Sequence, residues 1–445
     1  MTPSAPGLPA PGDVVELDVG EAAHGGWCVA RTGSGAVIFV RHALPGERVR
    51  AVITQATSRL ARADATAILA ASPDRVRPPC PHARPGGCGG CDWQHASLPA
   101  QRALKAAVVG QQLRRIAGVE REVTVEPMPG DETGLGWRTR VKFAVRRDGV
   151  AGLRKHRSHE VVNVRDCPIA HPLVDAPWVT GRRWPGTASV EVVVAPGTGQ
   201  RAVIVSGGTA AQRIPAEAAD TVLSAGAGKP APGGRSPGAV VRGTGYLQQR
   251  AAGRDWRVSA AGFWQVHPEA ADTLAAAVLE ALAPRPGDVA LDLYCGAGLF
   301  AGALARAVGP SGAVIGIEAD AAAVRDARHN LRATPWARVH RGDAGALLAR
   351  NGLSGASLAV VDPPRTGLAR GLVDLLSAPS PAGTTGGAGT GRVGRIAYVS
   401  CDPATLARDI AALSASGWAL EGLRAFDAFP MTHHVECLAT LARGR

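Results

Sequence analysis

The sequence predicts a multidomain chain: a small all-β barrel, an α+β middle region, and a C-terminal α/β domain built on a doubly wound parallel sheet. Three observations predict it. Residues 13 to about 70 alternate apolar and polar in short runs broken by glycine turns; from about 271 helix-like and strand-like segments alternate; and 445 residues exceed one ordinary core. The boundaries fall at 1–72, 73–262 and 263–445.

The barrel rests on "DVVELDVG", "WCVARTG", "GAVIFVRHALPGERVRAVI" and "ADATAIL", each with the period of a half-buried strand. In the middle region, "LPAQRALKAAVVGQQLRRIAG" reads as a helix, and "RTRVKFAVRR", "SVEVVVAPG" and "RAVIVSG" read as strands. Between Gly207 and Gly238 the composition turns to Gly, Ala, Pro and Ser, which predicts a flexible insert. The C-terminal alternation runs through "ADTLAAAVLEALA", "DVALDLYCGAG", "LFAGALARAVG", "AVIGIEAD", "AAAVRDARHNLRA", "ASLAVVDPPR" and "RIAYVSCDPATLARDI". A second low-complexity stretch, from Ser377 to Arg392, predicts a surface loop.

Composition narrows the function. A hydrophobic fraction of 46% and a mean hydropathy of +0.03 fit a soluble globular chain. No apolar run approaches the roughly 20 residues of a membrane span, and "MTPSAPGLPAPGD" lacks the basic start and apolar stretch of a secretory leader. The expectation is a cytoplasmic protein with no membrane partner. A net charge of +12 and a pI near 10.0 favour a polyanion, with nucleic acid leading. Eight cysteines in such a chain predict metal binding or catalysis rather than disulfides.

Asp292 to Gly298, "DLYCGAG", ends a strand and opens a helix, and its glycines allow a tight turn and close ligand approach. Glu318 ends the next strand, where an acid can accept hydrogen bonds from ribose hydroxyls. Asp343 and Asp362 follow at later strand ends. Acids in series without a phosphate-cradling loop fit S-adenosylmethionine, a cation without phosphates, better than ATP or NAD. Any one of these acids also reads as a helix cap.

"FWQVHPEAADTL", "LDLYCGAG", "GIEAD", "VVDPPRTG", "YVSCDPATLARD" and "MTHHVECLATL" occur in the order and spacing of the class I RNA 5-methyluridine methyltransferases, which this chain resembles. The N-terminal runs resemble the TRAM domain, an OB-like RNA-binding module. The resemblance implies a TRAM barrel, a central domain with an iron-sulfur cluster and a Rossmann-like methyltransferase domain. It places cofactor contacts on Gln265, Tyr294, Glu318 and Asp362, with Asp343 a further candidate, the nucleophile on Cys401 and the general base on Glu436. The chain departs from the pattern in carrying Asp402 and His267 where asparagine is common.

These residue types suit the chemistry. Carbon 5 of uracil becomes nucleophilic only after a thiolate adds to carbon 6, and a carboxylate must then remove the carbon 5 proton. Cys401 stands between a strand and a helix, whose N-terminal dipole should favour its thiolate, although a lone cysteine there also reads as a small buried hydrophobe. Glu436 lies in the apolar run "VECLATLA", which predicts burial and a raised pKa. A duplex uridine would have to flip out to reach this site. Phe263, Trp264 and the His433–His434 pair offer surfaces for RNA, or ordinary packing.

Cys80, Cys88 and Cys91 cluster, and the resemblance supplies Cys167 as the fourth ligand of a [4Fe-4S] cluster. The segment "CPHARPGGCGGC" carries two residues more than the usual first spacing. Zinc is the competing occupant, with His82 and His95 nearby. The expected function is methylation of uridine carbon 5 in tRNA or rRNA by a monomer. The alternatives are a catalytically silent RNA-binding protein and a TRAM-bearing radical methylthiotransferase, the latter disfavoured by the cysteine spacing.

Overall fold

The computed structural model describes residues 9–226, 238–352, 355–369, 371–378 and 393–443. Five strands, β1 (Val14–Ala23), β2 (Trp27–Arg31), β3 (Val37–Arg41), β4 (Arg48–Ala56) and β5 (Ala61–Ala70), close a barrel in the order β1-β2-β3-β5-β4. Their alternation puts Leu17, Val19, Ile38, Val40, Val49, Ala51 and Ile53 inside. Full closure leaves no unpaired strand edge on the barrel.

The chain continues into helix α1 (Leu98–Gln112) and a two-residue strand, β6 (Val125–Glu126). A seven-stranded sheet follows, with β7 (Arg140–Val145), β8 (Ala151–Arg154), β9 (Val161–Val162), β10 (Ser189–Ala195), β11 (Gln200–Ser206), β12 (Thr221–Ala225) and β13 (Ala239–Arg242). Its order is β13-β12-β11-β10-β7-β8-β9. Short helix α2 (Ala176–Thr180) and the apolar side chains of β7, β10 and β11 build its core.

The insert expected between Gly207 and Gly238 is in part ordered. The run Thr221-Val222-Leu223 pairs in parallel with Ala202-Val203-Ile204, and Val222 is fully buried. Three consecutive apolar or β-branched residues beside an open strand edge outweigh the surrounding glycine and alanine. Residues 227–237 of that insert, and 379–392 of the second low-complexity stretch, lie outside the described residues.

A hairpin of β14 (Tyr246–Ala251) and β15 (Arg254–Ser259) leads into the last region. There α3 (Ala270–Leu282), β16 (Val289–Leu293), α4 (Leu299–Val308), β17 (Ala313–Glu318), α5 (Ala321–Asn330), β18 (Ala337–Arg341), α6 (Ala344–Asn351), β19 (Leu358–Val361), α7 (Leu372–Ser377), β20 (Arg395–Ser400), α8 (Pro403–Ala415), β21 (Trp418–Phe426) and β22 (Glu436–Arg443) alternate. The sheet order is β18-β17-β16-β19-β20-β22-β21-β6, parallel from β18 to β20, with β22 antiparallel to both neighbours. Helices α3, α4 and α5 bury Ala290, Val314, Val360 and Val399 on one face. Helices α1, α6, α7 and α8 pack with Leu291, Leu293, Val361 and Tyr398 on the other. Thus α1 and β6, which precede the middle sheet in the chain, complete the C-terminal sheet. Strand order reverses between β16 and β19, so a crevice forms at the carboxyl ends of these two strands, where ligands of open α/β sheets bind.

Candidate active site

The turn after β16 is held by its backbone. Tyr294 adopts φ +66°, Gly296 φ +53° and Gly298 φ +93°, and Gly298 opens α4. A Cβ on Gly296 would meet nothing within 4 Å, so the glycine leaves open space beside the turn. Glu318, at the end of β17, accepts from Gly296 N at 3.0 Å and from Asp320 N at 2.8 Å. Both carboxylate oxygens keep a lone pair for a ligand.

Asp292 is fully buried, and its Oδ2 accepts from Ala301 N at 2.7 Å. Its Oδ1 has no hydrogen-bond partner among the described residues. Burial, together with the charges of Asp362 and Glu318, pushes Asp292 up to about 8. Asp362, after β19, is pushed up to about 7 by burial and Glu318. Carboxyl neighbours thus add to the rise of Asp292 and Asp362, an arrangement that a cationic ligand relieves. Tyr294 borders Ala369 and Asp343, and Gln265 lies half-buried two residues beyond exposed Phe263. Asp343 is exposed and caps α6, its Oδ1 accepting from Ala346 N at 2.9 Å. The cap is thus the role of Asp343 visible in the fold.

On the other side of the crevice β20 and β22 pair antiparallel, with Ser400 opposite Cys437. Cys401 directly follows Ser400, and Glu436 directly precedes Cys437, so the two flank this last pair. Glu436 is 4% exposed, and burial and Asp362 raise its carboxyl well above the usual range. Cys401 is half-buried, and burial, then Glu436, pushes its thiol up to about 11. This corrects the expectation of a dipole-stabilised thiolate. Cys401 precedes the cap of α8 by one residue, and desolvation plus a carboxyl neighbour outweigh the helix dipole.

Arg365, in "DPPRTG", opposes that shift: its guanidinium hydrogen-bonds the Cys401 thiol and acts on Glu436 as well. Arg365 lies in the same motif as Asp362, yet neither its residue type nor its spacing in the sequence pairs it with Cys401. Asp402 caps α8, with Oδ1 accepting from Thr405 N at 2.8 Å. His267 is buried beside Asp131, Nε2 to Oδ2 3.3 Å, while its Nδ1 accepts from Glu269 N at 3.2 Å. Among the aromatic candidates, Phe263 is 61% exposed, whereas Trp264 packs against Trp256 at 6.1 Å. His433 is committed through Nδ1 to Asp92 at 2.6 Å, and its ring lies 4.1 Å from that of His434.

Cys80, Cys88, Cys91 and Cys167 all line one cavity of about 480 Å³, and all are free thiols. The two additional residues of the first spacing form a turn, with Ala83 N donating to Cys80 O and Gly87 N to Arg84 O. Burial pushes Cys167 up to about 11 and raises Cys88 and Cys91, and neighbouring thiols add to each shift. Among the described residues, no group of three or more His, Cys, Asp or Glu side chains is arranged to hold a metal ion. No described helix is long and apolar enough to cross a membrane.

A glycine turn and strand-end acids at the switch point of a doubly wound sheet mark a ligand-binding α/β protein, and comparison with known proteins specifies it. The TRAM domain model matches residues 10–66, the tRNA (uracil-5-)-methyltransferase model 355–444, and the protein-L-isoaspartate(D-aspartate) O-methyltransferase model 265–345. The chain is 49% identical over 97% of its length to an uncharacterized RNA methyltransferase of Streptomyces avermitilis, 98% of which is covered. It is likewise 49% identical over 97% of its length to one of Streptomyces coelicolor, 93% of which is covered. The crystal structure of Pyrococcus abyssi tRNA (uracil-54, C5)-methyltransferase, solved with S-adenosyl-L-homocysteine, shares the fold at a TM-score of 0.68 and 22% identity, over 96% of this chain and 100% of that one. The chain belongs to the RNA methyltransferase family, and it is an enzyme of the uracil-5-methyltransferase type.

Proposed function

We propose that this chain methylates carbon 5 of a uridine in tRNA or rRNA, using S-adenosylmethionine as donor. The observation that carries this reading is the proximity of Cys401 and Glu436, which flank the Ser400–Cys437 pair, with Arg365 acting on both. Cys401 loses its proton to solvent as the uridine enters, and the thiolate adds to carbon 6, moving the double-bond electrons toward carbon 5 and the carbonyl oxygen. Arg365 stabilises the thiolate. Once carbon 5 has gained the methyl group, Glu436 removes its remaining proton, and the returning electrons expel the thiolate from carbon 6.

S-adenosylmethionine bound in the crevice would supply an electrophilic methyl group for carbon 5. Asp292 and Asp362 suit its cationic groups, since neighbouring carboxyls raise both and Asp292 Oδ1 has no partner among the described residues, and Glu318 suits its ribose hydroxyls. Gln265 and Tyr294 line the approach from neighbouring segments, and Asp343 contributes at the rim. Residues 1–72 act as the RNA-binding domain, 73–262 as the central domain and 263–445 as the catalytic domain. The basic net charge of +12 fits an RNA partner, and a cytoplasmic place of action is the reading that goes with such a substrate.

The four cysteines suit a [4Fe-4S] cluster better than zinc. All four line one cavity, and the resemblance gives them as the four thiolate ligands of such a cluster. A cluster held there would offset the cost of four buried thiolates and brace the loop from Cys80 to Cys91 against Cys167. Iron and acid-labile sulfide in anaerobically purified protein would support the cluster; colourless protein containing zinc would overturn it.

The catalytic reading is tested by incubating the protein with S-adenosylmethionine and RNA containing 5-fluorouridine, which has no carbon 5 proton to lose. A covalent protein–RNA adduct through Cys401 is expected. Absence of the adduct with wild type, or its persistence in Cys401→Ala, overturns the mechanism.

A further inference from the structure

The β1–β2 turn of the barrel, residues 24–26, is wedged against the catalytic region. His24 Nε2 lies 3.6 Å from Asp402 Oδ2, and the His24 ring lies 6.4 Å from that of His433. Gly26, at φ +80°, lies against Asp92, so that a Cβ there would come within 2.8 Å of Asp92 Cβ. Asp92 in turn joins Arg41 of the barrel at 3.3 Å and both the backbone N–H and Nδ1 of His433, at 3.1 and 2.6 Å. One hairpin turn of the barrel therefore touches the residue that follows Cys401 and, through Asp92, the segment that precedes Glu436.

Asp402 has two separate engagements. Its Oδ1 caps α8 through Thr405 N, and its Oδ2 faces His24. A helix cap alone needs one oxygen, and serine or asparagine serve as well as aspartate. The second oxygen is the part that the cap does not explain. At 3.6 Å the His24–Asp402 pair is in contact but longer than a hydrogen bond, so a small approach of the barrel turn closes it.

We propose that His24 is a positioning residue for Cys401: the barrel, when it engages RNA, presses this turn onto Asp402 and fixes the strand-to-helix bend that carries the nucleophile. The inference rests on Cys401 acting as the nucleophile. Its distinct content is that a residue of the N-terminal barrel governs chemistry in the C-terminal domain, and not merely RNA affinity.

The test uses the full chain with His24→Ala, His24→Gln, Asp402→Ser and the double variant His24→Ala/Asp402→Ser. Asp402→Ser keeps the cap and deletes the oxygen facing His24. Two readouts are taken, methyl transfer and the rate of adduct formation with 5-fluorouridine RNA. The expected result is a fall in kcat and in adduct rate of between about 10- and 100-fold for His24→Ala. The KM values for RNA and for S-adenosylmethionine stay within about twofold. Asp402→Ser gives a similar loss, the double variant loses no more than either single one, and His24→Gln, which retains a donor, recovers part of the rate. Equal adduct rates in wild type and His24→Ala overturn the proposal, as do additive losses or a loss confined to the KM for RNA. Absence of adduct in wild type would instead remove the catalytic reading beneath it.

Discussion

Cys401 follows Ser400 and Glu436 precedes Cys437, and Ser400 and Cys437 face each other as the last antiparallel pair of β20 and β22, although 35 residues separate Cys401 from Glu436 in the chain. Glu436 is part of what holds the Cys401 thiol up, and Cys401 therefore rests protonated. Two substitutions separate the roles. Cys401→Ala should lose both methyl transfer and adduct formation, by on the order of 10⁴-fold or more. Glu436→Gln should lose turnover by about 10²- to 10⁴-fold while still adding to carbon 6, so that a covalent complex accumulates on ordinary uridine RNA. Denaturing electrophoresis of enzyme with labelled RNA reads both outcomes.

Arg365 lowers the Cys401 pKa against burial and Glu436. Arg365→Met should therefore raise it further and shrink the thiolate fraction by about tenfold for each added pKa unit. Alkylation of Cys401 by iodoacetamide at mildly alkaline pH, followed by mass spectrometry, should slow by several-fold, with Arg365→Lys intermediate. An unchanged alkylation rate would separate Arg365 from the thiol.

The carboxyls of the crevice predict a pH dependence of donor binding. Asp292 stands at about 8 and Asp362 at about 7, both far above the ordinary aspartate range. In the ligand-free protein such groups bind protons that the unfolded chain has already released, so the stability they confer is present below about pH 4 and is lost as pH rises through 7 to 8. A cation favours the ionised forms and expels those protons. Affinity for S-adenosylmethionine should strengthen between pH 6 and pH 9, by up to about tenfold per unit for each group that titrates. The neutral thioether S-adenosylhomocysteine should depend less on pH. Calorimetry in buffers of different ionisation enthalpy should detect proton release for the sulfonium ligand.

Much of this arrangement is visible in the chain itself. Buried parallel strands such as "VALDL" and "LAVV" read as continuous apolar runs, so both the sheet and the acids at its strand ends could be located from sequence. Glu436 was legible because a carboxylate inside "VECLATLA" has no solvent to face. The contribution of Val125–Glu126 to the C-terminal sheet was not, because two residues carry no period and their partner, Ala425–Phe426, lies 300 residues on. His24 was equally hidden: nothing within its turn signals Asp402, and only tertiary packing joins them. Asp343 shows the opposite case, since the cap reading and the ligand reading rest on the same strand-end position.

The Lys105–Asp427 pair ties α1 to the segment that leads to Glu436. Lys105 is fully buried, with Nζ 2.5 Å from Asp427 Oδ1 and 3.0 Å from the carbonyl of Phe429. A buried pair contributes little net stability once the desolvation of both ions is counted, yet removal of one partner leaves an uncompensated charge. Lys105→Met should therefore destabilise the protein by about 3–5 kcal/mol. The double variant Lys105→Met/Asp427→Leu should recover a large part of that loss, because no charge is then left unpaired. Urea denaturation followed by tryptophan fluorescence checks both. If the double variant is as unstable as Lys105→Met, the burden lies in the lost bond to the Phe429 carbonyl rather than in the stranded carboxylate. The two cases also differ in activity: a displaced Phe429 carbonyl would disturb the His433–His434 segment and slow adduct formation, whereas a neutralised pair with that segment in place would leave the Cys401 chemistry near its wild-type rate.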